Sequence, residues 1–71
     1  MRQAIEQEKN TIRDMLSYVG ATPAQAIAGL RKELSQLVAY NERDYAIMHA
    51  AISELIQEYE QIASQEGTEH A

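Results

Sequence analysis

Between residues 45 and 62 the large apolar side chains Tyr45, Met48, Ile52, Leu55, Tyr59 and Ile62 recur at alternating three- and four-residue steps. A helix gathers such positions on one face, whereas the two-residue period of a strand scatters them. The heptad positions beside this stripe hold His49, Ile56 and Ala63 on one side and Ala51, Glu58 and Gln65 on the other. These flanks are too apolar for a simple two-stranded seam, which usually carries charge pairs there. Behind the stripe stand Ala46, Ile47 and Ala50, so the start of the segment is apolar nearly all round and predicts a helix covered on most sides. From Ser53 onward Glu54, Gln57, Glu60, Gln61 and Ser64 restore a polar back.

Upstream, Ile5, Ile12, Met15, Leu16 and Val19 form a second stripe, with Glu6, Glu8, Lys9, Arg13 and Asp14 read as mostly off it. This predicts an amphipathic helix over 2–19, closed by Gly20, since glycine accepts the left-handed conformation that ends many helices. The next helix has a clear start. Thr22 can cap it, Pro23 suits its first position, and Gln25 completes a Thr-x-x-Gln capping box. It carries Ile27, Leu30, Leu34, Leu37 and Val38, while Ala24, Ala26, Ala28 and Gly29 keep its first turns thin.

Residues 40–44, Tyr-Asn-Glu-Arg-Asp, contain neither Gly nor Pro. A four-residue stutter would carry one long helix through them from Pro23 to about Gln65. A turn is favoured instead, because Asn41 and Asp44 are good N-cap residues and a hairpin lets two apolar stripes bury each other. In that register Leu37 faces Met48, Leu34 faces Ile52, Leu30 faces Leu55 and Ile27 faces Tyr59, with Arg31 and Lys32 near Glu54 and Glu58.

Composition narrows the picture. The chain has 71 residues, enough for one small domain that gains from burial against a partner. It has no Cys, Phe or Trp, so disulfides and thiolate metal sites are excluded. No run is apolar enough for a signal peptide or membrane span, which predicts a cytoplasmic protein. The net charge is -5, and all six Lys and Arg residues lie at or before Arg43. An acidic second half repels phosphate backbones, so no nucleic-acid duplex is expected as a partner.

Candidate chemistry is sparse. His49 stands beside the apolar face and is read first as a partly buried residue hydrogen-bonded to a neighbour, without a carboxylate three or four positions on. Glu54 and Glu58 form one i, i+4 carboxylate pair, read as a solvated face rather than a metal site. The tyrosines Tyr18, Tyr40, Tyr45 and Tyr59 suit core edges and interfaces, where the ring is buried and the hydroxyl stays wet. There is no Gly-rich phosphate loop, nucleophile elbow or supported Ser-His-Asp arrangement, so an enzyme is not expected, and no cofactor or metal is implied.

The pattern Ile27-x-x-Leu30-Arg31-Lys32-x-Leu34, a polar turn, then Leu55-Ile56-x-Glu58-Tyr59, resembles the helical hairpin of the small aspartyl-phosphate phosphatases that regulate sporulation. It covers about half the chain. That family's Ser-Gln-x-x-Asp signature is replaced here by His49-Ala50-Ala51-Ile52-Ser53. The resemblance thus implies a hairpin and no activity.

The sequence therefore predicts an all-α domain over 1–65, with helices near 2–19, 23–40 and 44–65 and a flexible acidic tail at 66–71. The last two helices form an antiparallel hairpin, and self-association through Tyr45, Ala46, Ile47 and Ala50 completes a helical bundle, as a homodimer or higher oligomer. The function expected is that of a small non-enzymatic regulator or inhibitor that binds a protein partner with a basic surface through exposed Glu54, Glu58 and Glu60. The alternative is an oligomeric binder of a small anionic ligand such as a nucleotide, held between helices by Arg31, Lys32, Tyr40, Arg43 and His49.

Overall fold

The computed structural model describes residues 1–69 and, among them, contains three helices and no strand: α1 (Arg2–Tyr18), α2 (Pro23–Ser35) and α3 (Glu42–Glu69). The protein is all-α, and the single long helix through residues 40–44 does not form.

Each break has a local cause. After α1, Gly20 takes a φ of 70°, its N–H donates to the Ser17 carbonyl at 3.1 Å, and the Ala21 N–H donates to the Leu16 carbonyl at 3.0 Å. These two bonds complete a Schellman closure on the residue type that bears positive φ without a Cβ clash. The capping box at the start of α2 forms in full: the Gln25 N–H donates to Thr22 Oγ1 at 3.2 Å, and the Thr22 N–H donates to Gln25 Oε1 at 3.0 Å. At the start of α3, Asn41 is the capping residue, its Oδ1 accepting from the Asp44 N–H at 2.8 Å. Glu42 and Asp44 lie in the first turn, where the helix dipole favours negative charge.

Two helix ends differ from expectation. α2 stops at Ser35 rather than residue 40, leaving a linker over 36–41. The Gln36 N–H is shared between the Lys32 and Glu33 carbonyls, and the Leu37 N–H reaches the Leu34 carbonyl, so the last turn tightens and then runs out. The exposed β-branched Val38 that follows does little to prolong it. α3, in contrast, continues to Glu69. Its span thus takes in residues 66–69 of the expected tail, and His70 and Ala71 lie outside the described residues.

α3 is the element on which the others assemble: α1 and α2 both pack against it and barely touch each other. Leu30, Ile52, Leu55 and Ile56 form the buried cluster, and Ile12, Leu16, Leu34, Leu37 and Tyr59 close around it. Leu55 is fully buried, and a side chain of this kind contributes ~1.5–3 kcal/mol by leaving water. Ile47, expected to need a second chain, shares a hollow with Ala4, Gln7 and Thr11 of α1 and with Val38 and Ala39 of the linker. Ala46, Ile47 and Ala50 are accordingly half-buried within one chain, while Tyr45 stays exposed.

Candidate functional site

On α1, Arg2, Lys9 and Arg13 follow one another at steps of seven and four residues and so share a face. At ~100° per residue that face lies ~60–80° around the helix from the stripe of Ile5, Ile12 and Leu16. When the apolar stripe settles on α3, the cationic one is therefore carried to the edge of the contact, where Glu54 and Glu58 wait one turn apart. Arg2 grips Glu54 with both ends of its fork, Nη1 to Oε2 at 2.7 Å and Nη2 to Oε1 at 2.5 Å, and also pairs with Glu6. Lys9 Nζ lies 2.5 Å from Glu58 and 3.1 Å from Glu54, and Arg13 reaches Glu58 at 2.8 Å. Three cations and three carboxylates thus neutralise one another.

Lys9 is the centre of this network and is only 6% exposed. Its aliphatic stem packs while its ammonium keeps carboxylate partners, the usual condition for burying a charge. The Glu58 carboxylate, with Glu54 beside it, raises the Lys9 pKa against the opposing effect of burial. The fork of Arg2 and then Lys9 hold Glu54 down to about 2, and Lys9 with Arg13 lowers Glu58. No buried side-chain nitrogen or oxygen among the described residues lacks a partner.

This arrangement corrects several expectations. Glu54 and Glu58 are half-buried rather than an open acidic face, and they are held by α1 instead of by Arg31 and Lys32. Arg31 pairs with Glu60 at 3.1 Å, further along α3 than expected, because the linker has six residues where three were foreseen. Glu60 remains exposed but also carries that cation. Lys9 and Arg13, read as lying mostly off the stripe, instead face α3. Among the described residues, no group of three or more His, Asp or Glu side chains is placed to hold a metal.

The five residues considered for an anionic ligand do not converge within one chain. Arg31 sits at Glu60, eleven positions and ~16 Å along α3 from His49. Tyr40 projects from the linker, 95% exposed, and Lys32 and Arg43 are exposed without an ion pair among the described residues. His49 is exposed rather than partly buried, and its ring lies against Tyr45 with centroids 5.8 Å apart.

A feature missed in the sequence is an apolar groove of about 380 Å³ where the three helices meet. Ile12, Met15, Leu16, Leu30, Met48 and Ile52 line it together with Gly29, and Glu8 and Glu33 supply its charge. The thin turn at Gly29 was the legible part of it.

The chain matches no protein-family model, no curated protein and no solved structure. The likeness to the aspartyl-phosphate phosphatases therefore assigns no family. Among the described residues, no helix is long and apolar enough to cross a membrane.

Proposed function

We propose that this chain is a small non-enzymatic regulator or inhibitor that acts by binding another protein and works as a homo-oligomer. The finer architecture in this reading is an antiparallel α2–α3 hairpin completed into a bundle by a second copy. Supporting the hairpin are the Arg31–Glu60 pair and the packing of Leu30 with Ile52, Leu55 and Ile56.

The observation that carries the functional reading is how the surface is divided. The clustered charges are spent holding α1 on α3, while Val38 and Tyr40, on the hollow adjoining the groove, stand 87% and 95% exposed. Large apolar side chains left in water beside an apolar groove are the usual mark of a protein-binding surface. A partner with a basic surface remains part of the proposal, but the carboxylates free to meet it are Glu8, Asp14, Glu33, Glu42 and Asp44, none of which forms an ion pair among the described residues.

Affinity capture with the intact chain from its native host, with mass analysis of retained proteins and small molecules, tests the reading. A protein retained in fixed ratio, whose own activity changes when the purified chain is added, supports it. Retention of a small anion with no protein would overturn it in favour of ligand binding.

A further inference from the structure

Because α1 and α2 both rest on α3 and scarcely touch each other, a groove is left between them with α3 beneath. Ile12, Met15 and Leu16 form its α1 wall, Gly29 and Leu30 its α2 wall, and Met48 and Ile52 its base. A fourth helix takes this place when three helices are completed into a bundle.

The charge around the groove has one sign. Glu8 stands on the α1 wall and Glu33 on the α2 wall, and Asp44 lines the hollow that joins the groove at Glu8 and Met48. Among the described residues no Lys or Arg lines either depression, and none of these three carboxylates forms an ion pair. Glu8 is half-buried, so it gives up hydration without gaining a cation. Such a lining fits an apolar stripe with positive charge on both of its flanks. A second copy of this chain does not offer one: Arg2, Lys9, Arg13 and Arg31 are already paired, and Arg43 stands in sequence between the acids Glu42 and Asp44, which leaves Lys32 alone. The occupant with matching chemistry is a basic amphipathic helix of another protein. The groove can adapt to it, since a Cβ built on Gly29 meets no atom within 4 Å, and Met15 and Met48 are side chains that change shape to suit what they contact.

We infer that the groove between α1 and α2 receives one amphipathic helix of a partner protein, its apolar face on Met48 and Ile52 and its Lys or Arg side chains against Glu8 on one flank and Glu33 on the other. The inference rests on the protein-binding part of the proposed function and names its surface and the element that surface holds. Burial of the partner's apolar anchors supplies most of the affinity, while the carboxylates select the basic helix and speed its encounter.

The test uses a labelled synthetic helix of about twenty residues, long enough to be partly helical alone, with Leu at helical three- and four-residue steps and Lys beside them. Fluorescence anisotropy against the intact chain is expected to show binding in the micromolar range that weakens as salt is raised. Two control peptides accompany it, one with Glu in place of every Lys and one with the Leu and Lys order scrambled, and both are expected to bind at least about tenfold more weakly. A groove variant of the chain, E8Q/E33Q, and a filled-groove variant, Gly29→Leu, are each expected to lose about tenfold in affinity for the basic helix. Both should keep the helical circular dichroism of the wild type, because the first breaks no ion pair and the second adds a better helix former at an open site.

The decisive comparison is with D14N/E42Q, which removes the same two charges from acids that line neither depression. It is expected to change affinity by less than about twofold. Equal losses in D14N/E42Q and E8Q/E33Q would overturn the site, since net charge alone would then attract the peptide. Equal binding of the scrambled peptide would overturn the helix as the bound element, and undiminished binding to Gly29→Leu would overturn the groove as its seat. Binding of none of the peptides would overturn the inference as a whole, while a protein retained in fixed ratio by capture would still support the wider reading.

Discussion

Replacing Lys9 by Met removes the central cation of the α1–α3 contact while keeping most of the stem's volume. Glu54 and Glu58 would then face each other one turn apart with only Arg2 and Arg13 at their outer sides. Deleting one member of a fully buried ion pair typically costs ~3–5 kcal/mol, whereas a fully exposed pair contributes only ~0–1. Lys9 belongs to the first regime, but its partners' side chains are 30% and 41% exposed, so water offsets part of the loss. The expected cost of Lys9→Met is therefore ~1–3 kcal/mol. Lys9→Ala also strips three methylenes from the contact, adding ~2 kcal/mol at ~0.8 per buried group.

A domain of this size has a total stability of only ~4–10 kcal/mol, and each kcal/mol moves its melting temperature by ~4–8 °C. Lys9→Met should accordingly melt several degrees or more below the wild type, and Lys9→Ala lower still, in thermal scans followed by helical circular dichroism at neutral pH. Adding Glu58→Gln to Lys9→Met should recover part of the loss, because it withdraws the carboxylate left without its closest cation. Should Lys9→Met melt with the wild type, the ion pairs do not hold α1 on α3 and the apolar stripe alone does so.

Acid should loosen the same contact: with the Glu54 pKa depressed to about 2 from an ordinary 4.5, its contribution is complete above pH 4.5 and is lost as pH falls through 2. Carboxyl NMR titration, with urea midpoints taken across that window, checks both the value and the sign. Gly20→Ala places a Cβ at a φ of 70° and should destabilise by ~1–2 kcal/mol, read as a lower urea midpoint with unchanged slope. Leu55→Ala, at the fully buried centre of the cluster, should cost ~2–5 kcal/mol, and a loss under ~1 kcal/mol in the same assay would mean that the site collapses around the gap.

The parts of the fold readable in the sequence are those decided within a few residues. Thr22 and Gln25 cap α2 through a reciprocal pair of bonds three positions apart, Gly20 supplies its own backbone freedom, and Asn41 needs only its own side chain to start α3. The stripe of Met48, Ile52 and Leu55 was equally plain, because its period does not depend on what covers it. The early end of α2 was not readable: nothing after Ser35 forbids a helix, and the tightened bonds at Gln36 and Leu37 lie where Leu34 and Leu37 pack on the core, a tertiary contact with no local mark.

The ion-pair network was half visible. Arg2, Lys9 and Arg13 share a helical face and Glu54 and Glu58 share another, yet which helix would meet which is a tertiary fact with no local mark. Lys9 next to Glu8 and Asn10 looks like any solvated position. The groove was hidden for the same reason, since its walls come from three separate segments and only the absence of a side chain at Gly29 hinted at it.

Because α1 and α2 meet α3 but scarcely each other, the order in which the chain is made has a bearing on how it folds. Residues 1–41 leave the site of synthesis before the element they pack on, with two stripes of apolar side chains and no surface to settle against. A chain halted at the linker should show at most transient helix, since helices of this length are marginal alone in water. Structure would then arrive in one late event as the segment around Ile52 and Leu55 emerges and recruits both earlier helices together. Until then, the first half of the protein depends on its own solubility, for which the charges of α1, idle before α3 appears, are well placed.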